Sequence, residues 1–186
     1  MELRNNGLLE KHVVDVLKEK KLTITTAESC TGGMISSRIV NVPGASAVLK
    51  QAYVTYCDEA KHTVLGVKKE TLEKYYAVSS QTACEMAEGG AKAAGADVCV
   101  SVTGVAGPDT EDGKPVGCVF IGCFYNGSVN AVGYGKSADR HGFARHCDNV
   151  TSAGFYAENK TVPVYRGNRA VTRAPLYGFI AVFYGG

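Results

Sequence analysis

A serine, a cysteine and two glycines lie together where a short apolar run gives way to helical spacing. The stretch Thr25-Thr26-Ala27-Glu28-Ser29-Cys30-Thr31-Gly32-Gly33 follows the strand-like residues 22–26 and precedes apolar residues spaced as on one face of a helix. A strand that turns into a helix leaves amide N–H groups free, and the helix dipole adds partial positive charge there. The stretch therefore predicts an anion or oxyanion site, with Ser29 as a candidate nucleophile. On the residues alone, the alternative is that Ser29 or Thr31 is only the helix N-cap and that the glycines serve the turn.

A second polar group follows the β-rich run 51–56. Tyr56, Asp58, Glu59 and Lys61 are concentrated where a helix is predicted to begin. A neutral lysine at this place could accept the proton of a serine nucleophile, and such a pair needs no metal. The alternative is that Lys61 lies on a solvated helix face and that Tyr56 only contributes to packing.

A third candidate loop, 103–109, follows the nearly continuous apolar strand 97–103 and contains two glycines. In α/β sheets, ligands bind beyond the carboxyl ends of the parallel strands. The loops 28–33, 56–61 and 103–109 would therefore converge on one pocket if neighbouring parallel strands carry them. Strand order is the condition for this prediction, and a single sequence does not supply it.

Helices and buried strands alternate along the chain. Helical spacing is found at 8–17, after Gly33, and at 59–65, 69–76 and 80–94, while strands are predicted at 22–27, 51–56, 97–103, 116–125 and 128–134. The last two strands flank Asn126-Gly127, a strong hairpin signal. This order predicts an α/β sandwich with a mixed, mostly parallel sheet.

Composition limits the range of functions. The 186 residues suit a single folded domain, and a net charge of +2 gives no indication of nucleic acid binding. The chain has neither an apolar signal segment nor a run of membrane-spanning length, so we expect a cytoplasmic protein with a small-molecule partner. Seven cysteines without a Cys-x-x-Cys pair indicate buried thiols in a reducing compartment and no metal site.

Taken in order, these stretches resemble the CinA C-terminal domain family. The matching motifs are Ala27-Glu28-Ser29-Cys30-Thr31-Gly32-Gly33, Tyr53-Val54-Thr55-Tyr56-Cys57-Asp58-Glu59-Ala60-Lys61, Leu65-Gly66-Val67, Ala77-Val78-Ser79, Gly104-Val105-Ala106-Gly107-Pro108 and Lys114-Pro115-Val116-Gly117. The resemblance covers about Leu8 to Gly135, which is most of the chain.

The resemblance implies a three-layer α/β/α fold and a deamidase of nicotinamide mononucleotide, active in the pyridine nucleotide cycle of NAD metabolism without a cofactor. In this family Ser29 would be the nucleophile, and Lys61 and Tyr56 would activate it. An amide also needs stabilisation of its oxyanion. We expect the substrate-binding residues to be Cys30, Thr31, Gly32 and Gly33, through their amides, and Thr103, Gly104 and Gly107, near the phosphate and ribose.

Two other functions are compatible with the same motifs. A non-catalytic nucleotide-binding protein of the competence or damage-inducible type would keep the glycine loops but not depend on Ser29. A cysteine-dependent hydrolase would instead use Cys30 as its nucleophile, and thiol alkylation would then abolish its activity.

The end of the chain departs from the family pattern. We expect the amidohydrolase domain to cover 1–140 and a divergent tail to cover 141–186, because Ala138-Asp139-Arg140 is followed by a segment interrupted by glycine and proline instead of an amphipathic helix. A shifted reading frame near Arg140 and a genuine extension that forms a hairpin or a subunit contact both explain this. Without the helix, the tail or another subunit must cover apolar surface, so we expect a homo-oligomer. Since Met1 lies only a few residues before the first helix, we also expect a stand-alone form.

Overall fold

Five helices and seven strands form within residues 8–134, 165–166 and 169–170, the parts of the chain that the structure, a computed structural model, describes. The helices are α1 (Leu8–Lys20), α2 (Met34–Val40), α3 (Asp58–Leu65), α4 (Lys69–Tyr75) and α5 (Ser80–Ala94), with a 3₁₀ turn at Ala45–Ala47. The strands are β1 (Ile24–Glu28), β2 (Tyr53–Val54), β3 (Val98–Gly104), β4 (Val119–Tyr125), β5 (Ser128–Tyr134), β6 (Tyr165–Arg166) and β7 (Arg169–Ala170).

The strands form one mixed sheet in the order β2-β1-β3-β4-β5-β6-β7. β1 pairs in parallel with β2 and β3, whereas the pairs from β3–β4 onward are antiparallel. The connections between the first three strands contain helices and are long enough to cross over, while the two-residue turn Asn126-Gly127 requires an antiparallel hairpin. The predicted mixed α/β sheet is confirmed, and its parallel pairing is confined to β2, β1 and β3 instead of extending over most of the sheet.

The two faces of this sheet bury separate cores, which confirms the three-layer architecture. In β3, side chains alternate between the faces, as strand geometry requires. Val98, Val100 and Val102 pack in the core that α1 and α2 cover, and Cys99 packs in the core that α3 and α5 cover. The first core also contains Val13, Val14, Leu17, Ile24, Ile35, Ile39 and Ile121, and the second contains Ala27, Tyr53, Leu65, Met86, Ala87 and Ala91.

α5 lies very close to the sheet because glycines and small residues line the contact. A Cβ atom at Gly122 would lie 2.3 Å from the Ala83 carbonyl oxygen, and one at Gly90 would lie 2.8 Å from the Cys99 Sγ. The Ser101 hydroxyl donates to the Ala83 carbonyl at 2.6 Å. This contact fixes the position of β3, and hence of the loop that follows it, relative to α5.

β6 and β7 form a short hairpin that extends the sheet beyond β5. Most of the predicted tail, 141–186, and the stretch Ala138-Asp139-Arg140 lie outside the described residues. The domain boundary, the stand-alone form, the cytoplasmic location and the homo-oligomer stay predictions. Among the helices described, none is both long and apolar enough to cross a membrane.

Candidate active site

The three polar loops meet in one cleft of about 500 Å³ at the carboxyl ends of β2, β1 and β3. These strands are neighbours and parallel, so the convergence that depended on strand order is confirmed. The cleft is lined by Ser29, Cys30, Tyr56, Cys57, Asp58, Lys61, Ala77, Val78 and residues 103–111. Of the predicted site residues, it brings together Ser29, Cys30, Tyr56, Lys61, Thr103, Gly104 and Gly107.

Ser29 stands in a row with two threonines across the three strands. The Thr55 amide donates to the Glu28 carbonyl at 2.8 Å, and the Ser29 amide donates to the Val102 carbonyl at 2.9 Å. These bonds continue the parallel registers by one residue, so Ser29 lies beside Thr55 on one side and Thr103 on the other. By strand alternation, the row belongs to the face that α3 and α5 cover.

The two threonines of the row differ in their hydroxyl partners. The Thr103 hydroxyl donates to the Ala77 carbonyl at 2.8 Å. The Thr55 Oγ1 is buried and has no hydrogen-bond partner within the described part of the chain. An unpaired buried hydroxyl costs about 1–3 kcal/mol. Thr55 does not line the cleft, but it lies beside Ser29, and sequence reasoning did not single it out. Its signal was its place two residues after Tyr53, on the buried face of the same extended run.

Lys61 is buried, with 1% of its surface exposed, although it belongs to a short polar helix. Its Nζ donates to the Tyr56 carbonyl oxygen at 3.2 Å and lies 3.5 Å from the Asp58 Oδ1. Lysine is almost never fully buried unless it is paired, so this amine is held at a specific place in the cleft. The alternative of a solvated surface lysine is wrong.

Tyr56 lies at the rim of the cleft, with 69% of its surface exposed. It contacts Lys61 through its backbone carbonyl and leaves its phenol directed away from the packed interior. A purely packing role for Tyr56 is therefore wrong. Its ring remains available to a ligand that enters the cleft.

The carboxylate of Glu28 occupies the start of α2. Glu28 is fully buried, and it accepts hydrogen bonds from the Thr26 and Thr31 hydroxyls at 3.2 and 2.7 Å. It also accepts from the amides of Gly33, Ile35 and Ser36 at 3.0, 3.1 and 2.9 Å. The N-terminal amides of α2 that a ligand would need are thus already paired.

The expectation that Gly32 and Gly33 provide an anion site is consequently wrong. The Gly33 amide donates to Glu28, and the Gly32 amide donates to the Ser29 carbonyl at 3.0 Å. Thr31, Gly32 and Gly33 also lie outside the cleft lining, whereas Cys30 lies within it. The N-cap of α2 is Gly33, with φ 99°, so neither Ser29 nor Thr31 is the N-cap.

The glycine loop after β3 offers backbone donors instead. The Val105 amide donates to the Cys118 carbonyl at 2.9 Å, which anchors the base of the loop. The amides of Ala106 and Gly107, which line the cleft, have no acceptor in the described structure. Gly107 has φ +85°, a conformation that L side chains rarely adopt. These two amides are candidate donors for an anionic group.

The acidic side chains that line the cleft are Asp58, Asp109 and Glu111, and the basic side chain of the lining is Lys61. This balance favours a ligand that carries a cationic group. Within the residues described, no three His, Cys, Asp or Glu side chains are placed to hold a metal ion.

Cys30 is the half-buried thiol of the cleft lining, next to the candidate nucleophile. Two other thiols lie outside the cleft. Burial raises the pKa of the Cys84 thiol to about 11 and that of the Cys99 thiol to about 12. Because the thiolate is the nucleophile, these two are poorly reactive near neutral pH. Of the two thiols that line the cleft, Cys30 and Cys57, Cys30 is adjacent to Ser29 in the sequence, so it is the thiol to compare with Ser29.

Comparison with known proteins gives consistent matches. The CinA C-terminal domain family matches residues 7–153. A Clostridium acetobutylicum protein named as competence-damage inducible is 55% identical over 134 residues, covering 71% of this chain and 32% of that protein. A CinA-like protein of Kosmotoga olearia is 50% identical over 135 residues, covering 72% and 32%. The chain thus spans about a third of the length of the curated relatives it matches.

Solved structures agree with the sequence matches. The crystal structure of a competence-damaged protein (CinA) superfamily protein from Escherichia coli has a TM-score of 0.75 and 31% identity, covering 82% of this chain and 91% of that one. A competence/damage inducible protein from Agrobacterium tumefaciens has a TM-score of 0.72 and 33% identity, covering 82% and 94%. Fold and sequence motifs therefore point to one family.

Proposed function

This chain belongs to the CinA C-terminal domain family, and from that premise we propose that it hydrolyses the carboxamide of nicotinamide mononucleotide to nicotinic acid mononucleotide and ammonia. The observation that carries the proposal is that Lys61 is buried at the cleft that Ser29 also lines. A serine and a lysine placed in this way can act as nucleophile and base without a metal.

In the proposed reaction, the Ser29 Oγ attacks the carboxamide carbon while the neutral amine of Lys61 takes the hydroxyl proton. The tetrahedral intermediate then collapses, the C–N bond breaks, and the proton from Lys61 leaves with ammonia. Water, deprotonated by Lys61, hydrolyses the resulting ester and releases Ser29. Lys61 thus serves as general base and general acid in turn.

The pyridinium charge of the substrate complements the acidic lining of the cleft, and its phosphate requires hydrogen-bond donors. Nicotinamide mononucleotide combines a positively charged pyridinium ring with a phosphate. Asp109 and Glu111 would complement the ring, and the Ala106 and Gly107 amides would bind the phosphate or the oxyanion. The exposed Tyr56 ring would cover the substrate from the rim.

Ammonia release from nicotinamide mononucleotide by the purified chain, with EDTA present, tests this proposal. We expect turnover from the wild type, retained turnover from Cys30→Ala, and a loss of about 1,000-fold or more in kcat for Ser29→Ala, because its nucleophile is absent. Cys30→Ala is the matched control, since it alters the adjacent residue of the same cleft.

Two outcomes would overturn the proposal. One is the absence of ammonia release from a folded wild-type chain that still binds the nucleotide, which would favour a non-catalytic binding protein. The other is turnover that survives Ser29→Ala and disappears with Cys30→Ala, which would assign the nucleophile to the thiol.

A further inference from the structure

A buried carboxylate directly precedes the candidate nucleophile, yet it does not line the cleft. Glu28 is fully buried, and its side chain lies on the α2 side of β1, whereas Ser29 opens to the cleft. Its five hydrogen-bond donors are hydroxyl and amide groups. Burying a carboxylate is costly, and here the cost is offset by these charge-assisted hydrogen bonds and by the dipole of α2.

The donors come from both sides of Ser29. Thr26 lies before it on β1, Thr31 and Gly33 lie in the turn after it, and Ile35 and Ser36 lie in the first turn of α2. One side chain therefore links the strand, the turn and the helix. Few conformations of the backbone from 28 to 33 satisfy all five bonds at once.

Helix capping alone does not require this arrangement. The N-cap of a helix is ordinarily a Ser, Thr, Asp or Asn whose own side chain accepts an amide hydrogen bond. α2 has Gly33 there, with no side-chain cap bond, and its amides are satisfied by a residue on the preceding strand. Two backbone hydrogen bonds also hold this turn. The Ser29 amide donates to the Val102 carbonyl, and the Gly32 amide donates to the Ser29 carbonyl.

We propose that Glu28 is a positioning residue for Ser29: by holding the turn 29–33 in one conformation, it aligns the serine with Lys61 for attack on the amide. This inference rests on the proposed function for its kinetic consequence. A small misplacement of a reacting group can reduce the rate about 100-fold while substrate binding is little changed.

The test compares Glu28→Gln with Glu28→Asp and Glu10→Gln. Glutamine keeps the size of the side chain but replaces one acceptor oxygen with an NH₂ group, so at least one α2 amide loses its acceptor. Aspartate keeps the charge but is one methylene shorter. Glu10 is the matched control, because it is also buried and pairs with Arg38 of α2, but it does not contact the turn.

Two readouts are measured on each folded variant: kcat and KM for ammonia release, and hydrogen exchange at the Ser29 and Gly32 amides. For Glu28→Gln we expect kcat to fall about 100-fold with KM within about twofold of wild type, and exchange at both amides to accelerate at least about tenfold. Glu28→Asp should recover part of both effects. Glu10→Gln should leave kcat and these two exchange rates unchanged.

Unchanged exchange at Ser29 and Gly32 in Glu28→Gln would overturn the inference, as would an unchanged kcat in an active enzyme. If Glu28→Gln does not fold, the same comparisons for Glu28→Asp decide. Accelerated exchange in a chain whose wild type releases no ammonia would support the positioning of the turn and overturn the proposed deamidation alone, so the two failures are distinguishable.

Discussion

The two faces of the central sheet differ in what they bury, and β3 contributes to both. Toward α1 and α2 it presents Val98, Val100 and Val102, which pack among other aliphatic side chains. Toward α5 it presents Cys99, Ser101 and Thr103, and the two hydroxyls each donate to a backbone carbonyl. Apolar burial stabilises a fold without directional demands, whereas buried hydroxyls need specific partners.

The aliphatic residues that stabilise the fold and the polar residues proposed to act in catalysis therefore lie mainly on different faces of the sheet. The face toward α1 and α2 is predominantly aliphatic, and its buried polar residues include Thr26 and Glu28 at the end of β1 and Asn130 of β5. The face toward α3 and α5 becomes polar where Thr55, Ser29 and Thr103 stand in a row. Substitutions of the aliphatic residues on the first face should therefore change mainly stability, whereas substitutions of Ser29, of Lys61 and of the Glu28 that positions the serine should change turnover.

Of the substitutions that compare the two faces, Lys61→Met should have the largest effect on turnover. Methionine fills a similar volume, so the chain should fold, but it cannot accept or return a proton. We expect kcat for ammonia release to fall by about 100- to 10,000-fold. Lys11→Met, which removes an exposed lysine of α1, is the control and should retain full turnover. Comparable activity in the two variants would remove Lys61 from the mechanism.

Leu17→Ala tests the opposite face. Leu17 is fully buried in the aliphatic core, so its truncation should lower the free energy of unfolding by about 2–5 kcal/mol. Chemical denaturation measures this loss. Turnover per folded molecule should stay at the wild-type value, and a large decrease in kcat would show that the two faces are not separable.

Ser101→Ala should have a smaller effect. It removes the buried hydrogen bond to the Ala83 carbonyl, and we expect the free energy of unfolding to fall by about 1 kcal/mol. The matched comparison is Thr55→Val, which removes a buried hydroxyl that has no partner in the described residues. If Thr55→Val costs as much stability as Ser101→Ala, the distinction between paired and unpaired hydroxyls on this face is wrong.

The sequence predicted the catalytic candidates better than their surroundings. Ser29, Tyr56 and Lys61 could be found because they lie within short motifs at strand ends, and the nearly continuous apolar run of β3 indicated a strand buried on both faces. That Lys61 is buried could not be predicted from its local pattern, since Asp58 and Glu59 make the start of α3 appear solvated. Its burial depends on the packing of α3 against α5, which is a tertiary property.

The role of Glu28 shows a second limit of local reasoning. The Gly-Gly turn indicated free amides, but whether a helix N-terminus is free depends on which side chain reaches it. Glu28 reaches amides up to eight residues later, because the turn folds back over the end of β1. Only the path of the backbone reveals that this carboxylate, and not a ligand, occupies the start of α2.

The most direct test of the account is to trap the intermediate on Ser29. The wild-type chain is mixed with nicotinamide mononucleotide, quenched with acid during turnover, digested, and mapped by mass spectrometry with fragmentation that separates Ser29 from Cys30. The account predicts a nicotinoyl-nucleotide ester on Ser29 that is absent from Ser29→Ala. An adduct on Cys30, or continued turnover by Ser29→Ala, would contradict it.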